Sequence, residues 1–433
     1  MKYFGTDGIR GKVNDFITYD LAFRVGQSLM SLDVPIVVIG RDTRESGALL
    51  TKGIIDGAKS IGKDVCDIGI VSTPLLSYIS GRMQAIGVMI TASHNPYTDN
   101  GIKVFNLGTK LFANQEQLLE RFLNKESQAV ITNLGKDLPP VDAFQLYLDL
   151  FRNVWVKTNL HIIIDCANGS NYQIAPAIFA RITDSLIISG IDVNGQNINL
   201  DVGSTHLDNI LNLIRKSGYD YGYAFDGDGD RLLAVDANGR IFDGDMLIYV
   251  MAVYLKQKHD LNDNIVVLTQ MSNLGIIKAL QKHGINVVLT DVGDKNVLEA
   301  MEAGNYTLGG ENSGHIINQL LLNTGDGVLN AVFITKILEE TKMSLAKLTE
   351  DVVLYPDKMV NIQNVDKQVL KHPELLALVD NWKHRLGDNG KIIVRASGTE
   401  PLIRVSVSAE TTEILDICEN QIIEVIERLN RQY

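Results

Sequence analysis

The feature that most limits how this chain can fold is one pattern met three times in succession. It runs strand, helix, strand, helix, strand, and then a polar loop. In the first copy residues 35–40 read as an apolar strand and 47–61 as a helix. Residues 64–68 form a second strand, a short helix follows Pro74, and 85–90 form the third strand. Residues 161–165, 174–180, 185–188, 208–216 and 221–225 take the same places in the second copy. In the third they are 264–268, 276–283, 285–289, 297–302 and 306–308. Such alternation specifies a mostly parallel sheet with helices on its faces. The loops 91–96, 226–231 and 309–315 then lie beyond strand carboxyl ends, where open α/β sheets collect ligands. The last segment differs: strands at 359–362, 391–394 and 402–407, with helices at 373–386 and 413–429, make a smaller α+β unit. The expected fold is therefore α/β, with three successive similar βαβ sheet domains plus a smaller C-terminal α+β domain around a central cleft. The expected boundaries are 1–150, 151–245, 246–355 and 356–433.

Composition narrows the function. A chain of 433 residues is too long for one core, and 45% hydrophobic residues exclude a disordered chain. No apolar run reaches the ~20 residues needed to span a bilayer, and the first residues lack the apolar segment of a signal peptide. Cys66, Cys166 and Cys418 are odd in number and widely spaced, which reads as reduced thiols in a cytoplasmic protein and argues against structural zinc. Net charge is -12, against the basic face that nucleic acid requires. An anionic small molecule remains compatible, provided local loops supply positive charge.

Several loops carry chemistry. In Thr91-Ala92-Ser93-His94-Asn95-Pro96, Pro96 ends the strand and presents a hydroxyl and an imidazole on a turn. That is either an ordinary polar turn or a serine placed as a covalent carrier. In Asp226-Gly227-Asp228-Gly229-Asp230-Arg231 three carboxylates alternate with glycine and can turn inward around one hard cation, Mg²⁺ or Ca²⁺. An EF-hand is excluded, because the positions that would need Gly and Glu hold Arg231 and Ala237. Arg395-Ala396-Ser397-Gly398-Thr399, with Arg404 beyond, reads as a phosphate cradle or as a plain hairpin. Gly309-Gly310-Glu311-Asn312-Ser313-Gly314-His315 offers the donors and acceptors that sugar hydroxyls need, or is a Gly-rich turn with a solvated Glu. The arginines of Gly5-Thr6-Asp7-Gly8-Ile9-Arg10-Gly11 and Gly40-Arg41-Asp42-Thr43-Arg44 either hold anions or form salt bridges. No P-loop kinase motif is present.

Taken together these residues resemble the α-D-phosphohexomutase superfamily over essentially the whole chain. Within it they are most similar to the bacterial branch acting on glucosamine phosphates. Further support comes from Asp165-Cys166-Ala167-Asn168-Gly169, Asn197-Ile198-Asn199 with Gly203-Ser204-Thr205-His206, Met271-Ser272-Asn273-Leu274-Gly275 and Thr324-Gly325-Asp326-Gly327. The resemblance implies four domains around a cleft, a phosphoryl group on Ser93, and one Mg²⁺ held by Ser93, Asp226, Asp228 and Asp230. It implies that Arg10 and Lys103, with Arg231, stabilise charge or move protons near Ser93. His94 is placed beside them as a hydrogen-bonding loop residue. Substrate contacts would come from Arg231, Glu311, Ser313 and His315, and the distal phosphate from Arg395, Ser397, Gly398, Thr399 and Arg404. The implied chemistry interconverts glucosamine 6-phosphate and glucosamine 1-phosphate through glucosamine 1,6-bisphosphate, which is both activator and intermediate. The implied partner is a sugar phosphate, with neither nucleic acid nor membrane; a homodimer and a kinase that primes Ser93 are left open.

One departure stands out. The branch usually has arginine and tyrosine after Val-Gly-Asp, and here the text is Val292-Gly293-Asp294-Lys295-Asn296. If that basic residue pairs with a carboxylate the change is mild; if it reads substrate, specificity shifts. The rival readings are the same mechanism on mannose or glucose phosphates, and a non-catalytic protein that binds Ca²⁺ or a sugar phosphate.

Overall fold

The structure is a computed structural model that describes residues 3–5, 7–124, 134–396 and 402–431. Two compact units are present: residues 1–271 with 285–349, and residues 272–284 with 350–433.

The larger unit contains three sheets with one common strand order. In the first, Asp64–Ile70, Ile36–Arg41 and Ile86–Ile90 lie side by side in parallel, and Asp99–Asn106 returns antiparallel next to Ile86–Ile90. Ile9–Lys12 pairs antiparallel with Asp99–Asn106 at the edge. In the second sheet Leu186–Ser189, Ile162–Asp165 and Tyr221–Phe225 are parallel and Leu232–Asp236 returns. In the third, Asn286–Thr290, Ile265–Thr269 and Leu308–Gly310 are parallel and Ile316–Asn318 returns. The repeat read from sequence is thus real and one element longer than expected. Each motif loop sits between a parallel strand and an antiparallel return strand. The third loop is correspondingly shorter, because Gly309 and Gly310 belong to the strand.

Burial explains the pattern. Ile86–Ile90 and Tyr221–Phe225 are buried at every position, as central strands covered on both faces must be. Two helices absent from the sequence reading, Gly244–Gln257 and Gly327–Thr341, are apolar nearly all round. They contact each other and the strands of the second and third sheets, and Tyr223 Oη lies 3.0 Å from Thr335 Oγ1.

In the smaller unit Asp357–Gln363, Leu402–Ala409 and Gly390–Ala396 form an antiparallel sheet in that spatial order. Pro373–Leu386 and Thr412–Asn430 pack against it through Trp382, Leu386, Cys418, Ile422 and Ile426. Thr411 caps the last helix by accepting from Ile414 N–H. The three cysteines are buried and unbridged. No described helix is long and apolar enough to cross a membrane.

Candidate active site

The loop after Ile86–Ile90 and the loop after Tyr221–Phe225 meet. Ser93 is buried, and its backbone is left-handed at φ 51. Its hydroxyl donates to Asp226 Oδ2 at 2.7 Å and lies 3.2 Å from His94 Nδ1. Burial, together with Arg231 and Arg10, pushes the His94 imidazole down to about 4, so it is neutral at pH 7.

Asp226, Asp228 and Asp230 are buried, and each offers an oxygen within 4.8 Å of the others. The glycines between them make this turn possible. Gly229 is left-handed at φ 77, and a Cβ on Gly227 would come within 2.7 Å of Ser93 O and 2.8 Å of Asn199 Nδ2. Main-chain bonds from three other segments fix the loop, and a fourth holds the first residue of the strand that follows it. Ser170 N–H donates to Gly227 O, Thr73 N–H to Asp228 O, Gly327 N–H to Gly229 O, and Leu232 N–H to Gly314 O.

Three carboxylates in a buried turn repel one another. Burial, then Asp230 and Asp228, hold the Asp226 carboxyl well above its ordinary range. Asp228 goes the other way: burial opposes its charge, but Lys103 and the Thr73 hydroxyl hold it below the ordinary range. Lys103 Nζ reaches Asp228 Oδ2 at 2.8 Å, Asp230 Oδ2 at 3.1 Å and Asp7 Oδ2 at 2.9 Å. Despite burial, those carboxylates keep its ammonium well above the usual lysine range. Lys103 therefore supplies charge rather than a removable proton. Burial likewise opposes the charge of Arg10, and Asp7, Asp228 and Asp230 outweigh it. Asp228 Oδ1 and Asp230 Oδ1 remain buried without any hydrogen-bond donor. Orphaned carboxylate oxygens of an all-oxygen set are what a hard cation needs, so the residues fit a bound metal ion.

The third loop joins from the side. Arg231 and His315 form an isolated main-chain bridge. Glu311 accepts from Gly293 N–H at 2.9 Å, and Ser313 Oγ is buried without a partner. His315 is buried, with Nε2 3.3 Å from Asp294 Oδ2. Lys110 bonds Asp7 at 2.8 Å and also pairs with Asp294. The departure at Lys295 is resolved here: its ammonium donates to Glu116 Oε2 at 2.7 Å, so it pairs with a carboxylate of the first domain.

Within the smaller unit Arg395 and Arg404 are opposite each other on neighbouring antiparallel strands, and Arg404 Nε donates to Asn361 Oδ1 at 3.1 Å. Ser397, Gly398 and Thr399 lie outside the described residues.

The structure thus brings together Ser93, His94, Lys103, the three aspartates, Arg10, Arg231 and His315. Sequence reasoning passed over Asp7, Thr73, Lys110, Asn199 and Asp294 as site residues. Asp7, Asn199 and Asp294 stood inside the quoted motifs and could have been found there; Thr73 and Lys110 carried no signal.

Comparison with known proteins finds relatives along the whole chain. Four models of the phosphoglucomutase/phosphomannomutase family match: alpha/beta/alpha domain I over residues 1–130, domain II over 145–239 and domain III over 243–355, then the C-terminal domain over 359–425. Phosphoglucosamine mutase of Bacillus cytotoxicus is 42% identical, covering 98% of each chain, and that of Bacillus anthracis is 42% identical over the same share. Among solved structures, a phosphoglucomutase/phosphomannomutase family protein from Burkholderia thailandensis superposes with TM-score 0.82 at 20% identity, covering 98% of this chain and 97% of its own. N-acetylphosphoglucosamine mutase of Aspergillus fumigatus, solved with GlcNAc-6P and magnesium, gives 0.67 at 18% identity, covering 99% and 96%.

Proposed function

The chain belongs to the phosphoglucomutase/phosphomannomutase family, and from that membership we propose that it is a phosphoglucosamine mutase, an isomerase that moves a phosphoryl group between O6 and O1 of glucosamine phosphate. The observation that supports this best is the buried hydroxyl of Ser93, 2.7 Å from one of three clustered carboxylates, in a chain 42% identical end to end to phosphoglucosamine mutases.

In the forward direction the phosphoserine P–Oγ bond breaks and a new bond forms to O1 of glucosamine 6-phosphate, whose hydroxyl proton is released. The resulting 1,6-bisphosphate turns round, its P–O6 bond breaks as the 6-phosphoryl returns to Ser93 Oγ, O6 takes up a proton in place of the one released, and glucosamine 1-phosphate leaves. Phosphoryl transfer is mostly positioning and neutralisation of charge. Mg²⁺ on Asp226, Asp228, Asp230 and the phosphoserine would supply a Lewis acid for the transferring oxygens. Arg10 and Arg231 are the cations near Ser93 with exposed side-chain surface, and they would pair with the phosphoryl group. Lys103 stays protonated among its carboxylates and keeps their charge tolerable while Ser93 is unphosphorylated. Neutral His94, in the tautomer with its proton on Nδ1, can donate a hydrogen bond to Ser93 Oγ.

The division of labour follows the domains. Residues 1–150 would carry the phosphoserine, 151–245 the metal and 246–355 the sugar contacts of Glu311, Ser313 and His315. Residues 356–433 would hold the distal phosphate through Arg395, Ser397, Gly398, Thr399 and Arg404. Glucosamine 1,6-bisphosphate, or a kinase, would load Ser93 for the first turnover, and the product would feed amino-sugar precursors in the cytoplasm.

The test is turnover of glucosamine 6-phosphate against glucose 1-phosphate and mannose 1-phosphate, with Mg²⁺, catalytic bisphosphate and Ser93→Ala as control. A hexosamine preference lost in Ser93→Ala is expected. A hexose preference would transfer the assignment to the hexose branch, and activity surviving Ser93→Ala would refute the mechanism.

A further inference from the structure

Arg44 has no place in the site described above, yet it is only 3% exposed and makes the densest set of bonds around the Ser93 turn. Its Nε donates to Asp42 Oδ2 at 2.9 Å. One terminal nitrogen donates to Pro96 O at 2.5 Å and Asp99 O at 3.0 Å; the other donates to Ser93 O at 2.9 Å and Asn95 O at 2.8 Å. Both ways of reading this arginine from sequence are therefore incomplete. It holds no anion from solvent, and its ion pair with Asp42 uses one edge of a guanidinium whose other donors all face main-chain carbonyls.

The other side of the turn leads to the same pair. Thr91 Oγ1 donates to Asp42 Oδ2 at 2.6 Å and accepts from Ser93 N–H at 2.9 Å. The N–H and the C=O of Ser93 are thus both anchored, directly or through Thr91, on Asp42 and Arg44. A non-glycine residue in left-handed backbone persists only where its surroundings over-determine it. At Ser93 these bonds do so, with one more from the second domain, where Asn199 Nδ2 donates to Ser93 O at 2.9 Å. The residues flanking Arg44 grip that domain as well: Thr43 Oγ1 donates to Asn168 O at 2.7 Å and Glu45 N–H to Gly195 O at 3.0 Å.

Building on the mutase reading, we propose that Arg44 is a positioning residue for phosphoryl transfer: by holding four carbonyls of residues 93–99 it fixes the left-handed turn that aims Ser93 Oγ at Asp226. Lysine cannot replace it, because an ammonium lacks the planar fork that reaches two pairs of carbonyls at once. A misplacement of about 1 Å at a reacting atom costs on the order of 100-fold in rate.

The experiment uses the full-length Arg44→Lys protein. Glucosamine 1,6-bisphosphate serves as phosphoryl donor, and loading of Ser93 is followed by intact mass in rapid-mixing time courses. The expected result is a loss of about 100-fold in kcat and in the loading rate, with KM within about threefold of wild type. A residue that merely supports the fold would lower the melting temperature yet leave kcat per loadable molecule unchanged. If Arg44→Lys does not fold, Asn199→Gly keeps the left-handed backbone and removes one donor to the same carbonyl; it should show the same split at roughly 10-fold. A folded Arg44→Lys protein, or failing that Asn199→Gly, with kcat per loadable molecule within threefold of wild type overturns the proposal. Wild-type protein that takes no phosphoryl group on Ser93 from glucosamine or glucose 1,6-bisphosphate overturns the mutase reading, and this proposal with it.

Discussion

Asp326 offers a quantitative check on the interior of the larger unit. It caps the helix Gly327–Thr341, accepting from Leu329 N–H at 3.0 Å, and takes the Tyr147 hydroxyl at 2.6 Å. Burial pushes its carboxyl up to about 6 in spite of those donors, against 3.8 in an unfolded chain. Between these values the folded state holds a proton that the unfolded state has released. Stability therefore falls as pH rises through the window and stays low above it. From pH 5 to pH 7.5 the linkage amounts to about 1.4 kcal/mol. Asp326→Asn keeps an acceptor for Leu329 N–H but removes the titration. The stability of the variant relative to wild type should then rise by that amount across the interval, which is about 2 °C in melting temperature for a unit of this size. The assay is paired thermal unfolding of both proteins in EDTA at pH 5, 6, 6.75 and 7.5. Other titrating groups are shared and cancel in the difference. Curves that stay parallel over the whole interval would refute the argument that burial governs this carboxyl.

Lys295→Met removes the cation from Glu116, a buried carboxylate, and should lower stability by roughly 1–3 kcal/mol in urea unfolding with KM unchanged, while Lys295→Arg stays within about 1 kcal/mol. A tenfold rise in KM for Lys295→Met with no loss of stability would mean that the ammonium reads substrate. Gly227→Ala places a methyl against Ser93 O and should lower kcat by roughly 10- to 100-fold. Gly218→Ala, left-handed at φ 68 with nothing within 4 Å of the added methyl, should cost about 1–2 kcal/mol of stability and leave kcat intact. Equal kcat for the two alanine variants would remove the steric argument.

The residues show why some of this was legible in the sequence and some was not. Ile86–Ile90 and Tyr221–Phe225 announce themselves because a doubly covered strand is continuously apolar, and Asp226 to Asp230 do so because alternating Gly and Asp have few other uses. The return strand Asp99–Asn106 was hidden by its own content. It buries Asn100 and Lys103, residue types that belong to a surface; only the resemblance put Lys103 near Ser93, and its ammonium meets carboxylates 125 and 127 positions away. Arg44 was visible as a basic residue with two open meanings, and its partners are carbonyl oxygens, which every residue owns and no residue type reports. Lys110 is silent for a similar reason, since one of its partners, Asp294, is 184 residues away.

The length of these connections also bears on how the protein is made. The Ser93 carbonyl accepts from the Asn199 amide 106 residues further along, and the Ser93 hydroxyl donates a hydrogen bond to Asp226 133 residues further along. At ~5–20 residues per second of synthesis, the ribosome needs roughly 7–27 s to travel from the serine to that aspartate. Through that interval a nascent first domain has Arg44 and the serine but neither the amide nor the carboxylates. A chain interrupted before residue 226 therefore lacks the Ser93–Asp226 bond and all three clustered aspartates. Translation itself withholds this cluster until the second domain exists to complete it.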